Sequence, residues 1–364
     1  MAKPLSPKAR LNVSDKAFAR HIIEFDPQDP RTFSPHTIAP SVLSLPSGRS
    51  PIPWPAGKAP KPQPQRARPA SSAALPECDY LIVTWTVAEA QCLADTLTPG
   101  YSSQEDWYAY RHLFSEYVPL LRKGAPALES NRLGCYFLTT IAGKRVLCMK
   151  SDLHFSQDGP KMPIKKLWQQ IIQETKARLV ITTGTAGGIG SAIELGDVAL
   201  ATTVRFDCQQ EFKSAPFHDA VYTCSSLKTT SLPVAQKLFL ANTSHLPPAP
   251  RPPRVFNKSA PGVKNPGVVT TDFFAYDDTT DSFGLQGLGA AVEMGDAVLG
   301  LVIEEMGSAA PLWTAIRNAS DPQMDTSGLT PEQVRQKAGS IYERYGYWTT
   351  IPSAITCWSM VLDN

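Results

Sequence analysis

A run of strand-forming residues, Arg178-Leu179-Val180-Ile181-Thr182-Thr183, leads into the glycine-rich turn Gly184-Thr185-Ala186-Gly187-Gly188-Ile189-Gly190. Glycine has no Cβ and tolerates positive φ, so such a turn lets a ligand come close to the backbone. Its spacing does not fit GxGxxG. No GxxxxGK[ST] loop, GxSxG or HExxH is present, which removes P-loop phosphate binding and the commonest serine-hydrolase and zinc-protease signatures. A second cluster, Lys150 to Lys161, follows a strand and precedes a helix carrying Lys165 and Lys166. Basic groups beside a helix N-terminus form an anion site, so Lys150, His154 and Lys161 are candidates to hold a phosphate or polyphosphate. The alternative for them is an ordinary solvated loop. Asp152 and His154 form a D-x-H pair, but two ligands without further partners do not make a metal site. No metal or organic cofactor is expected.

Four further segments, taken in order, are more specific than any one of them alone. They are Thr183-Gly184-Thr185-Ala186-Gly187-Gly188, Thr270-Thr271-Asp272-Phe273-Phe274, Val292-Glu293-Met294-Gly295-Asp296-Ala297 and Ile316-Arg317-Asn318-Ala319-Ser320-Asp321. Together they resemble the nucleoside phosphorylase and nucleosidase superfamily over roughly residues 79–362. The resemblance implies a three-layer α/β fold with a central mixed sheet. It also implies cleavage of the N-glycosidic bond of a purine nucleoside or nucleotide, adenine being the expected base.

That chemistry explains the residue types. Breaking a purine–ribose bond leaves positive charge on the sugar and negative charge on the base. A protonated carboxyl near the purine N7 neutralises the leaving base, and the resemblance gives this part to Asp321. Its pKa then has to be raised by a dry or hydrogen-bonded setting. Ser320 would orient it and Arg317 would brace the loop. Thr185, Ala186 and Gly187 line the site by the same resemblance. Phe273 and Phe274, with Asp272, belong to the segment that holds the base, and one of the two rings is expected to face it. Met294 would pack under the ribose. Where nucleosidases usually carry a second glutamate after that methionine, this chain has Gly295, so Glu293 or Asp296 is left to take the ribose contact.

The attacking group is water or phosphate. Glu89, in Trp85-Thr86-Val87-Ala88-Glu89-Ala90, matches the glutamate that positions water in nucleosidases, and no arginine occurs between Asp79 and Gly100. Hydrolysis is therefore the expected reaction, with phosphorolysis and a catalytically inactive nucleotide-binding sensor as the alternatives. If the basic loop at Lys150, His154 and Lys161 holds a 5′-phosphate, the substrate is a nucleotide such as AMP or ATP.

The elements that must position these residues alternate as βαβ units do. Strands are expected over 79–85, 134–141, 144–149, 178–183, 197–206 and 312–317, with a hairpin at Ala142-Gly143. Helices are expected over 88–97, 163–176, 288–306, 331–345 and 350–362. Upstream, 15 of the 33 prolines fall within residues 1–76. That stretch reads as an extended, largely disordered arm with one short helix at 15–24, capped by Ser14, for docking on its own chain or on a partner. Residues 77–364 form the catalytic domain.

Composition narrows the class. The 35 basic and 33 acidic residues leave a net charge of +2, which gives no reason to expect nucleic acid or an anionic membrane as partner. No apolar run reaches 18 residues and the start has no apolar leader segment. Seven cysteines without a CxxC pair suit a reducing cytoplasm. A small-molecule substrate and a homo-oligomer, by the resemblance, complete the expectation.

Overall fold

Five consecutive buried residues, Tyr80-Leu81-Ile82-Val83-Thr84, form a strand with parallel neighbours on both edges, which is where an unbroken apolar run belongs. The computed structural model describes residues 13–34, 49–258, 263 and 265–364. Its strands are β1 (Lys61–Pro62), β2 (Tyr80–Thr84), β3 (Tyr108–Tyr110), β4 (Gly134–Ile141), β5 (Lys144–Ser151), β6 (Leu179–Gly188) and β7 (Val198–Leu200). They continue with β8 (Thr203–Asp207), β9 (Val221–Thr223), β10 (Val255–Phe256), β11 (Val268–Thr271), β12 (Ala291–Glu293) and β13 (Leu312–Asp321). The α-helices are α1 (Val13–Glu24), α2 (Val87–Leu97), α3 (Phe114–Tyr117), α4 (Pro126–Ser130), α5 (Pro163–Thr175), α6 (Leu232–Phe239), α7 (Asp296–Met306) and α8 (Pro331–Asp363). A mixed sheet in the order β1-β4-β5-β2-β6-β12-β11-β8-β9 forms the middle layer. Helices α2, α6 and α8 make one covering layer, while α5 and α7 pack on each other in a second.

The sheet forks where the glycine-rich turn was expected. Strand β6 continues for ten residues, and only Leu179 to Thr182 pair with β2. Beyond that, the same edge takes up β12 antiparallel at Gly187 and Gly188, while β13 runs parallel along the opposite edge to Asp321. The carboxyl ends of β5, β2, β6 and β13 thus open into one crevice, the position where α/β sheets bind ligands.

Several expectations need correction. The helix over 288–306 is split, because Ala291-Val292-Glu293 is strand β12, zipped between β11 and β6, and α7 begins only at Asp296. Small residues also suit the approach to this strand: a Cβ on Gly289, just before it, would meet the Gly267 carbonyl oxygen at 2.5 Å. The strand over 197–206 is two, β7 serving β13 and β8 serving β11. The two C-terminal helices are one, α8, which runs through Pro352. Residues 346–361 are buried throughout, so packing outweighs the hydrogen bond that Pro352 cannot donate.

The proline-rich arm is extended, as its composition dictates, but its described parts are not disordered. Trp54 packs on Trp358 with ring centroids 5.0 Å apart, Lys61 and Pro62 pair with Thr140 and Thr139 of β4, and Leu75 is buried. Apolar anchors set among the prolines strap the segment to the domain. The helix foreseen at 15–24 is α1, which starts at Val13 and so places Ser14 in its first turn rather than at its cap. Ala19, Ile22 and Ile23, one helical face, are buried. Residues 1–12 and 35–48 of the arm lie outside the described residues. Among the described residues, no helix is long and apolar enough to cross a membrane, and no group of three metal-ligating side chains occurs.

Candidate active site

Thr86 and Glu89 form a reciprocal capping box at the start of α2, and this box points the Glu89 carboxylate back into the fork of the sheet. Oε2 accepts from Thr84 Oγ1 (2.7 Å), Trp85 N (3.1 Å) and Thr86 N (2.9 Å). Oε1 accepts from Thr185 N (2.7 Å) and Thr185 Oγ1 (2.6 Å). Burial alone would raise its pKa. The Arg317 charge, and the hydrogen bonds from Thr185, Thr86 and Thr84, outweigh that and hold it below the usual carboxylate value. Glu89 is therefore a fixed negative charge. Its approach also explains Gly184, whose φ is +143° and whose Cβ, if present, would lie 2.5 Å from Glu89 Cδ. Gly184→Ala is expected to cost about 1–3 kcal/mol, read as a lower midpoint in chemical denaturation.

Opposite Glu89 stands Arg317, buried on β13. Its Nε and Nη2 grip Asp296 at 2.7 and 2.5 Å, and its Nη1 donates to the Thr185 carbonyl at 3.3 Å. The guanidinium carbon lies 4.8 Å from the Trp85 ring centre. Glu293, at the end of β12, comes within 3.4 Å of Arg317 Nη2 and accepts from Thr270 Oγ1 and, at 3.0 Å, from Asp296 N. Burial first, and the Asp296 charge second, push Glu293 up to about 8. Of the two residues expected to replace the ribose-gripping glutamate, only Glu293 lines the cavity. Asp296 is turned away to hold Arg317. At Gly295 an added Cβ would sit 3.5 Å from the Trp85 indole, so that ring borders the place a longer side chain would fill.

Asp321 ends β13 beside Gly187. Burial raises its pKa to about 6, against a lowering hydrogen bond from Ser320, whose Oγ lies 2.9 Å from Oδ1. Among the described residues, no donor reaches Oδ2, which faces Gly187 across the 3.1 Å a Cβ there would leave. Thr185, Ala186, Gly187, Met294 and Ser320 line the same cavity, as do Glu89, Arg317 and Asp321. Phe274 lines it too. Phe273 instead packs with Val269, Leu285 and Val292 in a separate apolar cluster.

Other expected contacts are not assembled. Asp272 accepts backbone N–H groups of Gln209, Gln210 and Phe212 at 2.8–3.2 Å, so it anchors that loop and does not line the cavity. The proposed phosphate cluster is dispersed. Lys150 is ion-paired with Asp152, which also takes Arg132 Nε at 2.6 Å. Lys161 lies on the outside, donating to the Pro119 carbonyl at 2.9 Å. Only His154 reaches the cavity, and burial pushes its pKa down to about 3, so it is neutral. Three basic residues close in sequence thus face three directions.

Some wall residues lay outside the expected set. Ile22 and Ile23 come from α1, and Ala338 and Tyr342 from α8. Tyr342 Oη lies 2.8 Å from Thr86 Oγ1. Their only trace in the sequence is the apolar face of each helix, which does not say what that face covers.

Residues 111–341, well over half the chain, match the family model described as the phosphorylase superfamily. The chain belongs to the phosphorylase superfamily. Within the matched stretch lie Thr185, Glu293, Arg317 and Asp321, whereas Glu89 and α1 precede it. Solved structures with a similar fold include a 5′-methylthioadenosine/S-adenosylhomocysteine nucleosidase from Helicobacter pylori, at 16% identity and TM-score 0.47, over 79% of this chain and 99% of that one. A futalosine hydrolase from the same organism matches at 15% identity and TM-score 0.46, over 78% of this chain and 97% of that one. A 5′-methylthioadenosine/S-adenosylhomocysteine nucleosidase from Neisseria meningitidis matches at 17% and 0.46, over 78% and 97%. No curated protein matches the chain.

Proposed function

We propose that this protein hydrolyses the N-glycosidic bond of a purine nucleoside, adenine being the preferred base, without a cofactor. Asp321, with its raised pKa and free Oδ2, gives its proton to the base as the C–N bond breaks and the electron pair leaves with the base. Glu89 and Glu293 face the sugar, where the negative charge of Glu89 stabilises the cation that develops and Glu293, held protonated, offers a hydrogen bond. Water held among Glu89, Thr185 and Arg317 then bonds to the anomeric carbon, and the proton it releases passes to the ionised Glu89. A sugar cation formed in this way needs its water placed more than it needs it deprotonated, which suits a low-pKa carboxylate.

The charge of the cavity carries the choice of water over phosphate. In the reactive form its lining holds one ionised carboxylate, Glu89, with Glu293 and Asp321 protonated, and one guanidinium that is already paired with Asp296. A phosphate dianion would meet net negative charge and no unpaired cation, whereas water meets a hydrogen-bonding cradle. The test is incubation of the full chain with adenosine in phosphate-free buffer, followed by chromatography. Adenine should appear at a rate that added phosphate leaves unchanged. Strict dependence on phosphate would show phosphorolysis instead.

A further inference from the structure

Helix α8 brings to the cavity wall one hydroxyl that the proposed reaction leaves without a part. Ala338 and Tyr342, one turn apart on α8, both line the cavity, and Tyr342 is 3% exposed. Its aromatic ring is lodged on three sides. Phe25, just past α1, meets it edge-on with ring centroids 5.9 Å apart, and Ile22 and Ala88 belong to the same apolar cluster. On α8 itself, a Cβ on Gly346 would stand 3.0 Å from Tyr342 Cε2. A phenol has two side-chain torsions, so a ring held this closely puts its oxygen in one place.

That place adjoins the two threonines that hold Glu89. Tyr342 Oη lies 2.8 Å from Thr86 Oγ1. Burial first, and the Glu89 charge second, raise the pKa of the phenol, while hydrogen bonding to Thr86 and Thr185 works against them. The proton directions follow from which atoms can accept. Thr86 Oγ1 accepts the Glu89 N–H at 3.2 Å, and among the described residues its own proton has Tyr342 Oη as acceptor. Thr185 gives its proton to Glu89 Oε1 at 2.6 Å, because an ionised carboxylate only accepts. Thr185 Oγ1 is then an acceptor, and the Tyr342 proton matches it. A closed circuit results, from Glu89 N–H through the hydroxyls of Thr86, Tyr342 and Thr185 back to Glu89 Oε1. Each hydroxyl in such a chain polarises the next.

We propose that Tyr342 is a positioning residue for the hydrolysis, its hydroxyl closing a hydrogen-bond circuit through Thr86 and Thr185 that fixes the Glu89 carboxylate toward the attacking water. This rests on the nucleosidase reading. Tyr342 acts through Thr185 and exchanges no proton with the substrate. Without its hydroxyl, Thr185 donates less strongly and is free to turn, so Glu89 is less well aimed and less stabilised as an anion. The packing of α1 and α8 around the phenol thereby becomes part of the water cradle.

Steady-state turnover of adenosine by the full chain, followed across pH, tests this. Tyr342→Phe keeps the lodged ring and should lower kcat about tenfold with KM within about twofold of wild type. The acid limb of kcat/KM, set by Glu89, should move up by about half to one pH unit, while the alkaline limb stays in place. The other ionisable groups lining the cavity with Glu89 are Arg317 and Asp321 from β13, Glu293 from β12 and His154 after β5, and the variant alters none of them. In a Thr185→Val background the same substitution should cost nothing further, because the circuit is already open. Wild-type kcat and an unmoved acid limb in Tyr342→Phe, with or without a loss of thermal stability, overturn the positioning role and leave the nucleosidase reading intact. An equal loss in both backgrounds overturns it too, since Tyr342 would then act without Thr185. Wild-type protein that releases no adenine overturns both readings.

Discussion

Replacing Asp321 with Asn is expected to lower kcat by about 10²- to 10⁴-fold, the range for losing a positioned general acid. The substitution keeps the shape of a side chain lodged between Ser320 and Gly187 and removes only the proton it can give. The pH dependence should change with it. Asp321 has a pKa of about 6 and acts in its protonated form, so kcat/KM in the wild-type protein should fall about tenfold per pH unit above that value. Glu89, held below the usual carboxylate value, stays ionised across the same range. The residual activity of Asp321→Asn should lack the alkaline limb at 6. Stability should move the other way. A carboxyl whose folded pKa is raised favours the native state in acid, and that contribution is lost as pH rises through 6. At pH 8 the neutral Asn variant should therefore be more stable than wild type, by up to about 3 kcal/mol in chemical denaturation. Full activity in the variant would remove Asp321 from the chemistry.

Asp296→Ala carries the largest expected stability loss, about 3–5 kcal/mol. Arg317 is 3% exposed and its two strongest hydrogen bonds both go to Asp296, so the variant strands a buried guanidinium. Glu293 softens the loss. The Asp296 charge helps raise its pKa, so without Asp296 it ionises more readily and offers Arg317 a second partner across 3.4 Å. The Asn variant, which still accepts a hydrogen bond, should sit at the lower end of the range. Catalysis should fall in both, because Arg317 then leaves Thr185 and Glu89 for Glu293. A loss under about 1 kcal/mol in the Ala variant would mean that the pair does not organise the site.

The parts of the molecule that were legible in the sequence are those whose signals are local. The apolar run at Tyr80–Thr84, the hairpin at Ala142-Gly143 with both residues at positive φ, and the proline start of α5 are written within a few residues. Glu89, Thr185–Gly187 and Asp321 sit in short motifs that the sequence displays, one each on α2, β6 and β13, and the fold brings them to one cavity. What was not legible depends on faces and distant partners. Lys150, His154 and Lys161 look like one basic patch in a line of residues, yet a strand end and a loop turn them apart, and Asp152 neutralises the first. Asp296 looks like a spare ribose ligand until Arg317 comes across from β13. Ile22 and Tyr342 come from opposite ends of the chain and meet over the cavity through contacts of α1 with α8. No window of sequence contains that pairing. Pro352 marks a helix break by local rule, and the burial of 346–361 overrules it.

The most direct test of the account is turnover of adenosine in ¹⁸O-labelled water, with the sugar product analysed by mass spectrometry. Hydrolysis at the cradle of Glu89, Thr185 and Arg317 predicts free ribose carrying one labelled oxygen at the anomeric carbon, with adenine released in equal amount. Unlabelled ribose 1-phosphate formed in the presence of phosphate would contradict it.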